Sequence, residues 1–374
     1  MHRSRYRDFL VVFGLVLIAS SGLAVCRAEA LEIGSPAPEF SLSGVDGKTY
    51  SLGSFRDADI LVIVFTCNHC PTAQAYEERI QQLATDYKDK KVALVAISPN
   101  DPEAVRLDEL GYSDLGDSLA DMKIRAKDKG FSFPYLYDGE NQKVSRAYGP
   151  VATPHVFVFD RQRKLRFVGR IDNSDKPQRA TSRETRDAIE ALLAGKPVPV
   201  EKTKVVGCSI KWSDKREAVK RALETWAKEE VGLRLIDEKG LQALVQNDTK
   251  RLRLINVWAT WCGPCVAELP ELVTVNRMYR HREFELITIS ADAPEEKDKV
   301  LEVLRKQQVS ASNYLFEGND KYKLMDAVDE KASGPVPHTI LVAPGGKVLY
   351  RKSGSCEPLA IKRAIADHLG RTYK

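Results

Sequence analysis

Two stretches of the chain are built on the same plan of apolar and polar positions. Ile60–Phe65 is a continuous apolar, β-branched run, the pattern of a strand buried on both faces, and Leu252–Trp258 is a similar run interrupted by Arg253 and Asn256. Each stops at a pair of cysteines with two residues between them, and a polar, helix-compatible stretch follows, 72–87 in the first copy and 266–280 in the second. Further apolar runs, Val92–Ser98 and Phe284–Ser290, predict the next buried strands. Short strands are expected at 134–137 and 313–316. Then Thr153-Pro154-His155 leads into the strand 156–160, and Val336-Pro337-His338 leads into 339–343. Turns, last strands at 165–171 and 348–352, and closing helices at 182–194 and 357–369 complete the two copies. The first copy carries extra chain at about 101–130, which reads as an added helical segment. Gly195-Lys196-Pro197-Val198-Pro199 marks a break after it, and 217–230 has helical composition.

The alternation of strands and helices predicts an α/β fold with a central mixed sheet flanked by helices, present twice and joined by a partly helical linker. The expected division is 1–30 as an export signal, 31–200 as the first domain, 201–234 as linker and 235–374 as the second domain.

The N-terminus adds an address. Arg3, Arg5 and Arg7 precede the apolar run 9–25, and Ala28-Glu29-Ala30 is a small-x-small site; this is the layout of a secretory signal peptide. An uncleaved membrane anchor and lipidation at Cys26 are the alternatives. The chain is thus expected outside the cytoplasm, in the periplasm. A formal net charge of +5 over 374 residues, with no basic run, argues against a nucleic-acid partner.

Export gives the seven cysteines a compartment in which disulfides persist. Cys67/Cys70 and Cys262/Cys265 form two tight pairs, whereas Cys26, Cys208 and Cys356 stand alone; Cys208 and Cys356 have no motif and read as small apolar side chains rather than catalysts. A two-residue loop is too short to staple a fold usefully and suits a bond that opens and closes. In both copies the first cysteine is expected at a helix start, where free N–H groups and the positive end of the helix dipole favour thiolate, with the second one turn later.

Trp258-Ala259-Thr260-Trp261-Cys262-Gly263-Pro264-Cys265 resembles the active-site signature of thioredoxins and, more narrowly, the exported TlpA-like branch that reduces disulfides in cytochrome c maturation. The resemblance implies a thiol–disulfide oxidoreductase with no cofactor and no metal. Its partners would be exported thiol or disulfide proteins and a membrane electron donor or oxidant for recycling. It places Pro337 at the family's cis-proline and Pro154 at the equivalent position of the first copy. Trp261, Gly263 and Pro264 become supporting residues of the second site. Thioredoxins carry a buried Asp where this chain has Asn256, which cannot titrate; the TlpA-like branch points instead to Glu268 as proton acceptor for Cys265.

The first copy, from Ile33-Gly34-Ser35-Pro36 onward, resembles redoxins, the group that includes peroxiredoxins. In their Pro-x-x-x-Thr-x-x-Cys motif the Thr place is held here by Cys67, and Cys70 falls at the reactive position. His69, when protonated, would stabilise a neighbouring thiolate and raise the reduction potential of the first site above that of the second. His155 and His338 are candidates for tuning the cysteines beside them. Two other functions are weighed: copper or zinc binding by Cys67, His69 and Cys70, and peroxide reduction by the first domain.

Overall fold

The computed structural model describes residues 30–332 and 336–373; the expected signal segment and Cys26 lie outside them. Among the described residues no helix is long and apolar enough to cross a membrane.

The first sheet contains β1 (Ser41–Gly44), β2 (Thr49–Ser51), β3 (Ile60–Phe65), β4 (Val92–Ser98), β5 (Tyr135–Tyr137), β6 (His155–Phe159) and β7 (Leu165–Gly169), in the order β2-β1-β5-β4-β3-β6-β7. Helices α1 (Pro71–Asp86), α2 (Leu119–Lys129), α3 (Lys143–Tyr148) and α4 (Glu184–Leu193) accompany it. Every residue of β3 is buried, as a strand covered on both faces must be. Its alternate side chains feed two separate apolar cores, Ile60, Val62 and Val64 on one face and Leu61, Ile63 and Phe65 on the other.

A connecting helix, α5 (Arg216–Trp226), precedes the second unit. Its sheet contains β8 (Arg234–Ile236), β9 (Leu252–Trp258), β10 (Phe284–Ser290), β11 (Ser312–Phe316), β12 (His338–Val342) and β13 (Val348–Ser353), in the order β13-β12-β9-β10-β11-β8. Around it lie α6 (Glu238–Gln246), α7 (Gly263–Tyr279), α8 (Lys297–Lys306), α9 (Lys321–Val328) and α10 (Pro358–Leu369).

The repeat read from the sequence is a repeat of topology. β3 runs parallel to β4 and antiparallel to β6, and β9 runs parallel to β10 and antiparallel to β12. Five strands match in order, and the sheets differ at one edge. There the hairpin β1–β2 lies antiparallel on β5, whereas β8 lies parallel on β11.

Two findings revise the expected organisation. The extra chain of the first copy forms two short 3-10 turns, Pro102–Ala104 and Leu107–Leu110, before α2, and it meets the second unit. Leu107 and Leu110 pack on the second core, Tyr279 Oη donates to the Ser113 carbonyl at 2.8 Å, and Arg371 pairs with Asp114. The expected linker, in turn, lies partly on the first sheet. Val168 N donates to Glu201 O at 2.9 Å, Thr153 N to Cys208 O at 3.0 Å, and Asp101 N to Lys211 O at 3.0 Å. Gly207 permits this approach, because a Cβ there would collide with the Thr153 carbonyl.

Candidate functional site

In the second unit the chain leaves β9 and turns into α7 at Cys262, which caps the helix; its Sγ accepts from Cys265 N at 3.2 Å. Gly263 and Pro264 are the first two helical residues, and Pro264 loses no hydrogen bond there because the first helical N–H groups have no partner. Cys262 and Cys265 are joined in a disulfide. Cys265 is fully buried, and Cys262 keeps 7% exposure. Val336-Pro337 is cis, and the Val336 carbonyl lies 3.7 Å from Cys262 Sγ.

Beside this bond Trp261 is 52% exposed, with Lys321 Nζ 4.1 Å from its ring centroid. Trp261, Leu324, Met325 and Val336 line a largely apolar groove of about 430 Å³. Beneath the helix, Glu268 is buried. Its carboxylate accepts from Asn256 Nδ2 at 2.8 Å and from Cys356 N at 2.9 Å. Burial and the Glu268 charge push the free Cys356 thiol up to about 12. Cys356 is therefore half-buried and held as a thiol, in a polar setting the sequence did not announce.

The first unit repeats the layout with its register moved by one turn. Pro71 is the first residue of α1, so the helix cap is Cys70, the second cysteine of its pair, and not Cys67 as expected. Cys70 Sγ accepts from Ala73 N at 3.4 Å and lies 3.4 Å from the carbonyl of Thr153, whose bond to Pro154 is cis. Cys70 thus stands where Cys262 stands, and Ala73 stands where Cys265 stands. The sulfur bonded to Cys70 comes instead from Cys208. This corrects the reading of Cys208 as an isolated apolar side chain. It also corrects the expected pairing: Cys67 is a free thiol, 2% exposed, with its Sγ 3.2 Å from Thr153 Oγ1.

His69 is buried against Asp117, with Nδ1 2.5 Å from Oδ2. The carboxylate also accepts from Asn68 N (2.9 Å), His69 N (3.2 Å) and Asn100 Nδ2 (2.7 Å). Burial alone would lower the imidazole pKa, but Asp117 and then Cys67 outweigh it and hold the ring protonated well above its ordinary range. Burial opposes ionisation of Asp117 too, and the His69 charge with these hydrogen bonds overcomes it, so its pKa is lowered. Ligand atoms of Cys67, His69 and Asp117 lie within 4.8 Å of one another. The metal set weighed from the sequence is altered: Cys70 is committed to Cys208 and Asp117 takes its place. With Nδ1 of His69 given to Asp117, the trio is arranged as nucleophile, imidazolium and orienting carboxylate.

The two histidines after the cis-prolines are both buried and hydrogen-bonded within the fold. His155 is buried and its Nδ1 accepts from Val151 N at 3.3 Å; burial lowers its pKa to about 4. His338 is buried between Ser353 Oγ (2.9 Å) and Asp329 Oδ2 (3.1 Å). Sequence reasoning missed Asp117, Asn100, Thr153 and Cys208. Asp117 and Asn100 sit in loops without a motif, and Thr153 was read only as the neighbour of a proline. For Cys208 the preceding glycine was the one available signal.

The AhpC/TSA family profile matches the chain twice, over residues 33–168 and 237–351. The chain is 27% identical over 103 residues to thiol-disulfide oxidoreductase ResA of Oceanobacillus iheyensis, covering 25% of this chain and 45% of that one. It therefore spans less than half the length of this relative. To ResA of Geobacillus thermodenitrificans it is 23% identical over 161 residues, covering 41% of this chain and 81% of the relative. To alkyl hydroperoxide reductase E of Mycobacterium tuberculosis it is 26% identical over 175 residues, 44% of this chain and 99% of the relative. Among solved structures, an uncharacterized conserved protein from Geobacillus kaustophilus is 38% identical, covering 49% of this chain and 93% of its own, with a TM-score of 0.44.

Proposed function

The chain belongs to the AhpC/TSA family, and on that footing we propose that it is a thiol–disulfide oxidoreductase acting on exported proteins through Cys262 and Cys265, with a second redox centre in the first domain. The observation that carries this reading is the Cys262–Cys265 disulfide at the cap of α7, beside the cis Val336-Pro337 bond. The names of the ResA relatives agree with it.

In the reduced enzyme the Cys262 thiolate, favoured at the helix N-terminus, attacks one sulfur of a substrate disulfide. The other substrate sulfur leaves as thiolate, and a mixed disulfide forms at Cys262. Deprotonated Cys265 then attacks Cys262 Sγ, which closes Cys262–Cys265 and releases the second substrate thiol. Two electrons have passed to the substrate, and a thiol donor must return them before the next turnover. With an oxidised enzyme and a reduced substrate the same steps run backwards. Glu268, one turn beyond Cys265, is the proposed proton acceptor. The apolar groove beside Trp261 takes the substrate chain, and apocytochrome thiols fit as substrates.

A redox titration tests this. The full chain is equilibrated in glutathione or dithiothreitol buffers, quenched with an alkylating agent, and each cysteine is read by peptide mass spectrometry. Reversible opening of Cys262–Cys265, with loss of turnover on a protein disulfide in Cys262→Ser, is the expected result. A pair that never opens overturns the proposal. Resemblance to alkyl hydroperoxide reductase E favours peroxide reduction as a second reading, and the redoxin-like motif at Cys70 assigns it to the first domain. That reading would make Cys70, fully buried and bonded to Cys208, the reacting sulfur. Peroxide-driven oxidation of reduced Cys70, followed by the same alkylation method, separates the two.

A further inference from the structure

The first domain holds one redox sulfur at its helix cap, has alanine where the second domain holds its partner, and receives a partner from beyond its last helix. We propose that this redox centre is a three-cysteine set, in which Cys208 is the solvent-side sulfur and Cys67 and Cys208 compete for Cys70. The inference deepens the thiol–disulfide exchange reading and rests on it.

Accessibility assigns the roles. Cys70 is fully buried and Cys67 nearly so, and both sulfurs lie against Thr153, one on its carbonyl and one on its hydroxyl. Cys208 is half-buried and lines a cleft of about 430 Å³ together with Thr72, Tyr76, Pro154, Val206 and Tyr373. Of the three cysteines only Cys208 lines this cleft, and Tyr373 brings the second unit to its wall.

The docking of Cys208 is built into the fold. Thr153 N donates to its carbonyl, the missing side chain of Gly207 lets the segment approach, and Lys211 N donates to Asn100 Oδ1 at 2.9 Å. Through its other amide atom, Asn100 Nδ2 donates to Asp117, so one side chain ties the Cys208 segment to the His69–Asp117 pair. The Cα–Cα separation of Cys70 and Cys208, 5.9 Å, is ordinary for a disulfide.

Two exchanges follow from this geometry. A substrate thiolate in the cleft attacks Cys208 Sγ. The Cys70–Cys208 bond breaks, and Cys70 leaves as a thiolate that the Ala73 N–H and the start of α1 receive. A second substrate thiolate, its proton lost to solvent, then displaces Cys208. The substrate dithiol has lost two electrons and two protons, and Cys70 and Cys208 have gained the electrons. In the second exchange the Cys67 thiolate, beside the His69 imidazolium, attacks Cys70 Sγ. Cys67–Cys70 forms, and Cys208 is expelled into the cleft as a thiolate that takes a proton from water. No net electrons move: the disulfide changes place, and Cys208 becomes available to an incoming disulfide.

Acid-quenched alkylation and disulfide mapping of the full chain across glutathione buffers tests the proposal. In the oxidised wild type a Cys70–Cys208 cross-link is expected, opening in the same range of buffers as Cys262–Cys265. A bulky thiol reagent added during opening should label Cys208 at least tenfold faster than Cys67 or Cys70. Cys208→Ser should show Cys67–Cys70 in its place, and Cys67→Ser should keep a reducible Cys70–Cys208 bond. Cys208 alkylated in every buffer overturns the inference. So does a Cys70–Cys208 bond that stays closed while Cys262–Cys265 opens, or a Cys208→Ser chain with Cys67 and Cys70 both free under oxidising conditions. The wild-type arms require no variant to fold. The Cys262–Cys265 pair in the same sample reports separately on the exchange reading, since its failure to open sinks that reading whatever Cys208 does.

Discussion

Cys70 and Cys262 occupy the same place in the two halves of the chain. Each caps the helix that follows the central strand, and each presents its sulfur to the carbonyl of the residue before a cis-proline, Thr153 at 3.4 Å and Val336 at 3.7 Å. The two Cys-x-x-Cys motifs are alike in spacing and offset in structure. Pro71 sets the helix start after the second cysteine in one copy, and Gly263-Pro264 sets it after the first in the other.

The offset makes the second-domain pair the simpler one to dissect. Cys265→Ser should arrest exchange at the mixed-disulfide stage and accumulate substrate cross-linked to Cys262, visible on a non-reducing gel. Cys262→Ser should leave no cross-link. Cross-linked product from both variants alike would mean that the attacking sulfur is misassigned.

Trp261 exposes half of its surface next to the reacting bond, beside Lys321. Trp261→Ala should raise KM for a protein substrate about five- to tenfold, the loss of roughly 1 kcal/mol of contact expected for an exposed aromatic anchor. Turnover at saturation and thermal stability should change little, and steady-state kinetics with a melting curve distinguishes this from a folding defect.

Asp117→Asn removes one partner of a buried ion pair and should destabilise the first domain by about 3–5 kcal/mol in urea unfolding at neutral pH. The pH dependence has a definite sign. His69 is raised from 6.5 to about 10 in the fold, so its contribution is complete below pH 6.5 and fades as pH climbs through 10. The Asp117 pKa is depressed, so its contribution is present above the ordinary carboxylate range and is lost as acid protonates it. The variant should therefore lose most at neutral pH and approach the wild type in strong alkali.

His155 behaves in the opposite sense. It is buried, with no anionic partner among the described residues, and burial lowers its pKa from 6.5 to about 4. The unfolded chain takes up a proton between those values and the folded chain does not, so stability is full above pH 6.5 and declines as pH falls towards 4. The loss should be on the order of 3 kcal/mol at pH 4. His155→Asn should flatten this acid limb while lowering stability at neutral pH through poorer packing on Phe157. An unchanged acid limb would assign the titration elsewhere.

Gly207→Ala should hinder the Cys70–Cys208 bond without touching either cysteine, because the added methyl meets the Thr153 carbonyl. Disulfide mapping should show more free Cys208 than in the wild type, and unfolding should report a cost of about 1–3 kcal/mol for the overpacked contact. The Cys262–Cys265 bond in the same sample should be unaffected.

The sequence by itself determined the duplicated α/β plan, because buried strands such as Ile60–Phe65 and Leu252–Trp258 read as short runs rich in apolar and β-branched residues, and their length and composition, recurring in the same order twice, distinguish them from helices. It also marked both cis-proline loops and the Cys262–Cys265 centre, whose chemistry is local: one helix turn carries both sulfurs. Only the tertiary structure decided the first centre. Cys70 and Cys208 are 138 residues apart and meet because a glycine lets one segment press against the loop before a cis-proline. Asp117 reaches His69 across 48 positions from the chain inserted between β4 and α2. Spacing along a chain reports which groups share a helix turn or a strand face. It carries no record of a partner delivered across the fold, and at this site the partner sets both the charge of the imidazole and the fate of the sulfur.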